Sequence, residues 1–112
     1  MSIIKVIIPA FNEAESIGLV VNDIPDSVSE VIVVSNGSTD RTEERAASAG
    51  ATVLTEIRKG YGYACLRGIE YLLESGSAPD ILVFLDGDYS DYPEQLDEIV
   101  APIISGAVSY TH

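Results

Sequence analysis

The sequence predicts an α/β fold, a mainly parallel sheet with helices on both faces. Two observations predict it. Short apolar segments alternate with segments of helical character, in the order β-α-β-α-β-α-β-α. The apolar segments are rich in Val and Ile throughout, which is typical of strands buried on both faces of a parallel sheet. With 112 residues the chain has room for one domain, which we assign to residues 1–112.

The four predicted strands are β-branched runs bounded by turn residues. Pro9 closes the first run, and loops rich in Gly, Ser, Asn and charged residues follow the others. Right-handed crossovers through the intervening helices would place all four strands side by side in parallel. The predicted strands are residues 3–8, 31–34, 52–55 and 81–85.

The predicted helices follow from caps and apolar periodicity. Asn12 can cap the first helix, and Glu15 three residues later completes a capping-box-like pattern. Gly50 is a plausible residue after the second helix, and Pro93 suits the first turn of the fourth. The first helix carries Ile17, Val20, Val21 and Ile24 on one face and stops before Pro25. The other predicted helices run over residues 41–49, 63–74 and 93–104.

The charge balance excludes some classes of partner. A net charge of −12 argues against nucleic acid and against a purely electrostatic hold on anionic lipid. No basic residue follows Arg67, whereas nine acids do, so some of those carboxylates could face a cation that is not part of the chain. The single Cys65 excludes an internal disulfide and fits a reducing compartment. No apolar run could cross a bilayer, and we expect a cytoplasmic protein.

The polar loops of this sequence coincide with the strand ends at which α/β proteins bind ligands. In such sheets the site lies outside the carboxyl ends of the strands. The four segments at those ends are "AFNE", "SNGSTD", "EIRKGYG" and "DGDYSD". The sequence therefore locates a site at that end of the sheet.

Asp86 and Asp88 are the strongest candidates for metal ligands. They stand two residues apart where a buried strand becomes a loop, and Gly87 between them lets the backbone turn so that both carboxylates converge. Hard oxygen donors at this spacing suit Mg²⁺ or Mn²⁺, with a substrate diphosphate supplying further oxygens. The alternative is a pair of solvated acids capping the next helix, which is the interpretation that we prefer for Asp91.

The remaining loops offer groups for a nucleotide. Arg58, Lys59 and the backbone around Gly60 could hold a phosphate, or could form only a flexible basic loop. Asn36 could contact a nucleobase edge, and Glu13 could accept from ribose hydroxyls. The alternatives are a plain turn and a capped helix start. Four tyrosines near the same rim could stack on a base or sugar, or only cover the site: Tyr61, Tyr63, Tyr89 and Tyr92.

Four motifs in this order resemble the nucleotide-sugar glycosyltransferases of the large GT-A family. They are "VIIPAFNEAESI", "VIVVSNGSTDRT", "RKGYGYACLRGIE" and "VFLDGDYSDYPEQL", and the resemblance covers residues 3–106. The nearest relatives that we expect are enzymes like dolichyl-phosphate mannosyltransferase, which load a sugar onto a polyprenyl phosphate. The resemblance implies a Rossmann-like fold, the donor-binding half of the GT-A fold.

The resemblance also implies roles for single residues. The first motif would lie along the nucleoside through Pro9, Ala10, Asn12 and Glu13. Two adjacent acids usually occupy the positions of Ser35 and Asn36, so this chain departs from the family at a nucleobase contact. Lys59 and Gly60 would lie near the nucleotide. Asp86-Gly87-Asp88 matches the metal-binding Asp-x-Asp motif, and no residue is assigned as a catalytic base.

The implied partners are a UDP- or GDP-linked sugar and an acceptor such as a polyprenyl phosphate. A lipid acceptor would bring the protein to the inner face of the membrane. Relatives continue beyond the position at which this chain stops, just where a further strand would begin, so the sequence reads as a truncated donor half. An incomplete sheet with an apolar tail favours self-association, and we expect a dimer or larger assembly.

Two other functions compete with this interpretation. A catalytically incomplete nucleotide-sugar-binding module would carry the same motifs. A haloacid-dehalogenase-like phosphotransferase also places Asp-x-Asp at a strand end, but normally on the first strand with a Lys later in the chain, and here no Lys follows Lys59. A calcium loop is disfavoured because Asp91 occupies the position at which such a loop requires Gly.

Overall fold

The computed structural model describes residues 3–76, 79–85 and 108–110. The strands of this part are β1 (Ile4–Ala10), β2 (Glu30–Ser35), β3 (Thr52–Thr55), β4 (Ile81–Phe84) and β5 (Val108–Tyr110). The helices are α1 (Ile17–Asn22), α2 (Thr42–Ser48) and α3 (Tyr61–Ser75). The predicted helix at 93–104 and the predicted metal ligands Asp86 and Asp88 lie outside the described residues.

The described strands form one parallel sheet in the order β3-β2-β1-β4-β5. This confirms the predicted fold class. β5 pairs with β4 at the position where we expected only the approach to a further strand. No helix of the described part is long and apolar enough to cross a membrane.

Two apolar layers separate the sheet from its helices, because alternate residues of each strand face opposite sides. The layer under α1 and α2 contains Val6, Ile8, Val33 and Val83. The layer under α3 contains Ile7, Ile32, Val34 and Phe84. The apolar face predicted for α1 is buried as expected, although the helix itself ends at Asn22 and Ile24 follows it.

Helix α3 lies unusually close to the sheet at Gly68. A Cβ atom on Gly68 would stand 2.8 Å from Cδ1 and 2.9 Å from Cγ2 of Ile7, whose side chain is fully buried. Only a glycine allows this separation between helix and strand without displacing Ile7. The contact fixes the height of α3 above β1.

Strand β1 continues through Pro9 to Ala10, two residues beyond its predicted end. The carbonyl of Ala10 accepts from Asn36 of the neighbouring loop at 2.8 Å, and the carbonyl of Ile7 accepts from the N–H of Leu85 at 3.1 Å. Successive residues of a parallel strand bond to opposite neighbours, so the nitrogen of Pro9 faces β4. Proline has no N–H to donate there, so position 9 cannot donate a ladder hydrogen bond toward β4.

Candidate functional site

The carboxyl ends of β1, β2 and β3 lie level with one another. Ala10 is paired with Ser35, and Ser35 with Thr55. The chain leaves β1 toward β2 on one side, whereas β4 and β5 lie on the other. Between β1 and β4 the strand order reverses, which is the topological switch point where ligands bind in open α/β sheets. Leu85 is bonded to β1 at this point, and Asp86 is the next residue.

The loops after β1 and β2 are joined by hydrogen bonds from Asn12. Its backbone N–H donates to Ser38 Oγ at 3.1 Å, and its Oδ1 accepts from the N–H of Thr39 at 2.8 Å. Asn12 has a φ of 53°, in the left-handed region that Asn tolerates better than most residues. The predicted capping box is therefore wrong: α1 begins at Ile17, and Ser16 occupies its N-cap position.

The loop between β2 and α2 supplies a second set of links to the first loop. Asp40 accepts from the N–H groups of Ala14 and Thr42, at 3.2 and 2.9 Å, and its carboxylate also accepts from the Thr42 hydroxyl. The Thr42 hydroxyl and these N–H groups hold the pKa of Asp40 below its ordinary value. Thr42 Oγ1 in turn accepts from the N–H of Glu13 at 2.8 Å. The two loops form one hydrogen-bonded unit.

Glu13 lies in a polar cleft at this end of the sheet, partly buried. Its Oε2 atom accepts from Ser16 Oγ at 3.4 Å. The cleft has a volume of about 380 Å³ and is lined by Asn12, Glu13, Glu15, Ser16 and Asp40. The structure thus places Asn12 and Glu13, two residues of the first motif, in one cleft beside Asp40, whose carboxylate is held by hydrogen bonds.

Ser35 and Asn36 are held by neighbouring groups. Ser35 is fully buried, and its Oγ accepts from the N–H of Ser38 at 3.4 Å. The Asn36 side chain donates through Nδ2 to the carbonyls of Glu56 (3.0 Å) and Arg58 (2.7 Å), and accepts through Oδ1 from the N–H of Gly60 (2.9 Å). Both polar atoms of its amide are therefore bonded to backbone, and its nucleobase contact stays a prediction.

The segment after β3, residues 56–60, is called the 56–60 loop below. The buried carboxylate of Glu56 accepts from the backbone N–H, Nε and Nη2 of Arg58, at 2.8, 3.0 and 2.7 Å. These charge-assisted bonds lower the pKa of Glu56 to about 2. The Arg58 guanidinium also lies over the Tyr63 ring, 4.6 Å from its centre.

Lys59 is exposed and has no ion pair among the described residues. It borders a largely apolar groove of about 380 Å³ with Gly60, Gly62, Tyr63 and Leu66. The N–H of Gly60, which we expected near a phosphate, already bonds to Asn36. The loop therefore places an amine, rather than that N–H, where it can meet an anion.

Other parts of the described chain offer less. A cleft of about 470 Å³ lies between α1 and α2 and is lined by helix residues such as Gly18, Arg45 and Ser48. No group of three or more His, Cys, Asp or Glu residues in the described ranges could hold a metal ion. Asp86 and Asp88 lie outside those ranges, and their metal role stays a prediction.

Sequence reasoning missed the part played by Glu56. Its signal was local: an acid stands two residues before an arginine at a strand end, where the side chains can pair. Asp40 also links two loops, a role that the sequence did not lead us to expect. The Asp-x-Thr spacing of Asp40 and Thr42 was the visible hint.

Fold and site together define a class: a parallel α/β protein whose polar loops follow the level ends of β1, β2 and β3, with a switch point between β1 and β4. This arrangement is typical of nucleotide-binding domains. The sequence matches the family described as Glycosyl transferase family 2 over residues 5–111. The chain belongs to that family.

Curated relatives and solved structures agree with this assignment. A glucosyl-3-phosphoglycerate synthase of Mycolicibacterium paratuberculosis is 36% identical, over 92% of this chain and 34% of its own length. Glycosyltransferase AglJ of Haloferax volcanii is 34% identical, over 90% of this chain and 32% of its own.

A crystal structure of the Mycobacterium tuberculosis glucosyl-3-phosphoglycerate synthase, in complex with Mn²⁺, UDP-glucose and phosphoglyceric acid, is similar with a TM-score of 0.71. Sequence identity is 34%, covering 86% of this chain and 37% of that one. The chain spans about a third of the length of these relatives. The expected kinship with dolichyl-phosphate mannosyltransferase stays a prediction.

Proposed function

We propose that this chain binds a nucleoside diphosphate sugar with Mg²⁺ or Mn²⁺, as the donor part of a glycosyltransferase. UDP-glucose is the first candidate donor, because a similar structure contains it together with Mn²⁺. The observation that carries the proposal is the switch point between β1 and β4, where Leu85 is bonded to β1 and an Asp-Gly-Asp sequence follows at once.

Asp86 and Asp88 are the residues that would hold the divalent ion. Their carboxylates are the hard oxygen donors that Mg²⁺ and Mn²⁺ prefer, and the chain reaches them directly from a strand end beside the switch point. When bound, such an ion neutralises negative charge on the diphosphate leaving group. The donor set therefore fits the ion.

The described residues would bind and orient the nucleotide. Glu13 lies in the polar cleft beside Asn12 and offers acceptors for ribose hydroxyls. Lys59, exposed beside the groove at the start of α3, offers a positive charge for the diphosphate. The hydrogen bonds between loops fix these groups before a ligand arrives, which lowers the entropic cost of binding.

For the acceptor we propose a phosphate-bearing molecule. Phosphoglycerate is the first candidate, because the similar structure contains phosphoglyceric acid, and a polyprenyl phosphate is the second. An acceptor oxygen would displace the nucleoside diphosphate at the anomeric carbon in a single inverting step, as the resemblance implies. Both acceptors can be offered to the protein with a radiolabelled donor, and the labelled product identifies the one used.

The test of donor binding is calorimetry with UDP-glucose and GDP-mannose, each with and without Mn²⁺. We expect binding that requires Mn²⁺ and becomes at least about tenfold weaker in Asp88→Ala, since even partners of metal ligands contribute that much. Asp91→Ala is the matched control, because Asp91 is assigned to a helix start. Equal affinity with and without Mn²⁺ in all three proteins would reject the proposal.

A further inference from the structure

The side chain of Asn36 joins three backbone groups of the 56–60 loop. It donates to the carbonyls of Glu56 and Arg58 and accepts from the N–H of Gly60. These three contacts are called the Asn36 clamp. The backbone N–H of Asn36 donates to the carbonyl of Ala10 at 2.8 Å, so the clamp connects the 56–60 loop to the end of β1.

The chemistry of the clamp requires an amide. The two carbonyls can only accept and the Gly60 N–H can only donate, so one side chain must supply two donor hydrogens and an acceptor in a single plane. An aspartate at position 36 could accept from Gly60, but its carboxylate would face two carbonyl oxygens without a hydrogen to share. An aspartate at this position is therefore incompatible with this loop conformation.

The rest of the loop is fixed around Lys59. The N–H of Glu56 donates to the carbonyl of Ser35 at 2.9 Å, which holds the start of the loop on β2. Arg58 is paired with the Glu56 carboxylate and lies over Tyr63 at the start of α3. Lys59 stands between these anchored residues, and its own side chain is exposed.

We propose that Asn36 is a positioning residue, which holds the 56–60 loop so that Lys59 stands at the rim of the donor site, and that it does not read the nucleobase. What Lys59 meets there rests on the proposed function, a nucleotide diphosphate. The clamp itself does not rest on that function, and the two can be tested separately.

Limited trypsin digestion tests the clamp without any ligand, because Arg58 and Lys59 are themselves tryptic sites. In Asn36→Ala, cleavage after these residues should rise about tenfold or more over the wild-type chain, since three hydrogen bonds that oppose local opening are lost. Cleavage after Arg67, inside α3, is the internal reference. Thr39→Ala is the matched control: it removes a side-chain bond of the neighbouring loop to Asn12 and leaves the clamp intact.

A global loss of structure would raise cleavage at every site, and the reference at Arg67 exposes it. Asn36→Ser is then the second variant, because its short hydroxyl keeps a polar group at the β2 end but cannot span the clamp. Unchanged cleavage at Arg58 and Lys59 in folded variants would overturn the proposal.

Nucleotide binding separates positioning from base recognition. If Asn36 is a positioning residue, Asn36→Ala should weaken the binding of UDP and of GDP by the same factor in the presence of Mn²⁺. This loss of affinity should largely disappear in a Lys59→Ala background. A changed ratio of UDP to GDP affinity would show base reading and overturn the assignment. If the wild-type chain binds neither nucleotide, the proposed function fails, while the digestion still decides whether the clamp exists.

Discussion

The two ends of the sheet each carry an acid–base pair beside a tyrosine of α3, but the pairs are built differently. At the amino end, Lys5 of β1 pairs with Glu30 of β2 at 3.1 Å, and Glu30 also accepts from Tyr71 at 2.7 Å. At the carboxyl end, Glu56 and Arg58 belong to one loop, and Arg58 covers Tyr63. With Tyr71 and Thr52, the first pair links four elements, β1, β2, β3 and α3, whereas the second shapes a single segment.

Burial separates the two pairs further. The Lys5 side chain is 8% exposed, whereas that of Arg58 is 49% exposed. Burial alone would raise the pKa of Glu30, but hydrogen bonds from Tyr71, Lys5 and Thr52 outweigh it and leave that pKa below its ordinary value. The hydrogen bond to Glu30 and the burial of the hydroxyl raise the pKa of Tyr71. We infer that the amino-end pair serves stability and the carboxyl-end pair serves the shape of the site.

The largest expected effect is at the amino end. Glu30→Ala removes the carboxylate that pairs with Lys5 and that accepts from Tyr71 and Thr52, so we expect a loss of about 3 kcal/mol or more in the free energy of unfolding. Urea denaturation measures it. The control is Glu44→Ala, which breaks the exposed pair with Arg41 and should cost less than about 1 kcal/mol. Similar losses in the free energy of unfolding for both variants would contradict the assignment of the amino-end pair to stability.

The next effect concerns α3, the helix that carries both tyrosines. Gly68→Ala should cost about 1–2 kcal/mol, because the new Cβ must displace Ile7, and the better helix propensity of Ala offsets only part of that strain. Gly18→Ala is the matched control, since a Cβ there meets nothing within 4 Å, and it should stabilise the protein slightly. Thermal unfolding of both variants gives the signs, and a stable Gly68→Ala would show that α3 can move away from the sheet.

A smaller effect is expected at Asn12, at the carboxyl end. Asn12→Ala loses the bond to Thr39 and places Ala at a positive φ, whereas Asn12→Gly loses only the bond. The Ala variant should therefore be about 1 kcal/mol less stable than the Gly variant. Urea midpoints of the pair measure this difference. Equal midpoints would mean that the left-handed conformation is not required at position 12.

The pH dependence of Glu56 appears only in acid and is the smallest effect near neutral pH. Its pKa falls from 4.5 to about 2 on folding, so its contribution to stability is complete above pH 4.5 and disappears as the pH falls toward 2. The stability gap between the wild-type chain and Glu56→Gln should stay constant above that range and close within it. In an Arg58→Ala background this difference in the free energy of unfolding should change much less with pH. A difference that does not depend on pH in the wild-type background would contradict the assignment.

The strands could be predicted because their signal is local. Runs of Val and Ile identified β2, β3 and β4 to within one residue at each end. The end of β1 was predicted two residues too early because proline usually closes a strand. Here the Pro9 nitrogen faces β4 and its carbonyl end still continues the pairing with β2, an arrangement that depends on register and not on the local pattern.

The position of the loops could be predicted, but their contacts could not. The sequence placed the polar loops at one end of the sheet, and the structure confirms this for the loops after β1, β2 and β3. The contacts made by Asn12 and Asn36 join residues 20 to 27 positions apart, so no local pattern reveals them. The residues around Asn12 fit a capping box equally well. Only the hydrogen bonds from Asn12 to the neighbouring loop show that it does not form one.

The missing N–H of Pro9 is a feature of β1 that solution conditions cannot change. Heat, salt and acid weaken hydrogen bonds, but none of them can place a proton on a tertiary amide nitrogen. The position without a donor is therefore set by the covalent chain, on the side of β1 that faces β4. A single imino acid thus leaves the β4 side of this strand end one hydrogen-bond donor short in heat, salt or acid alike.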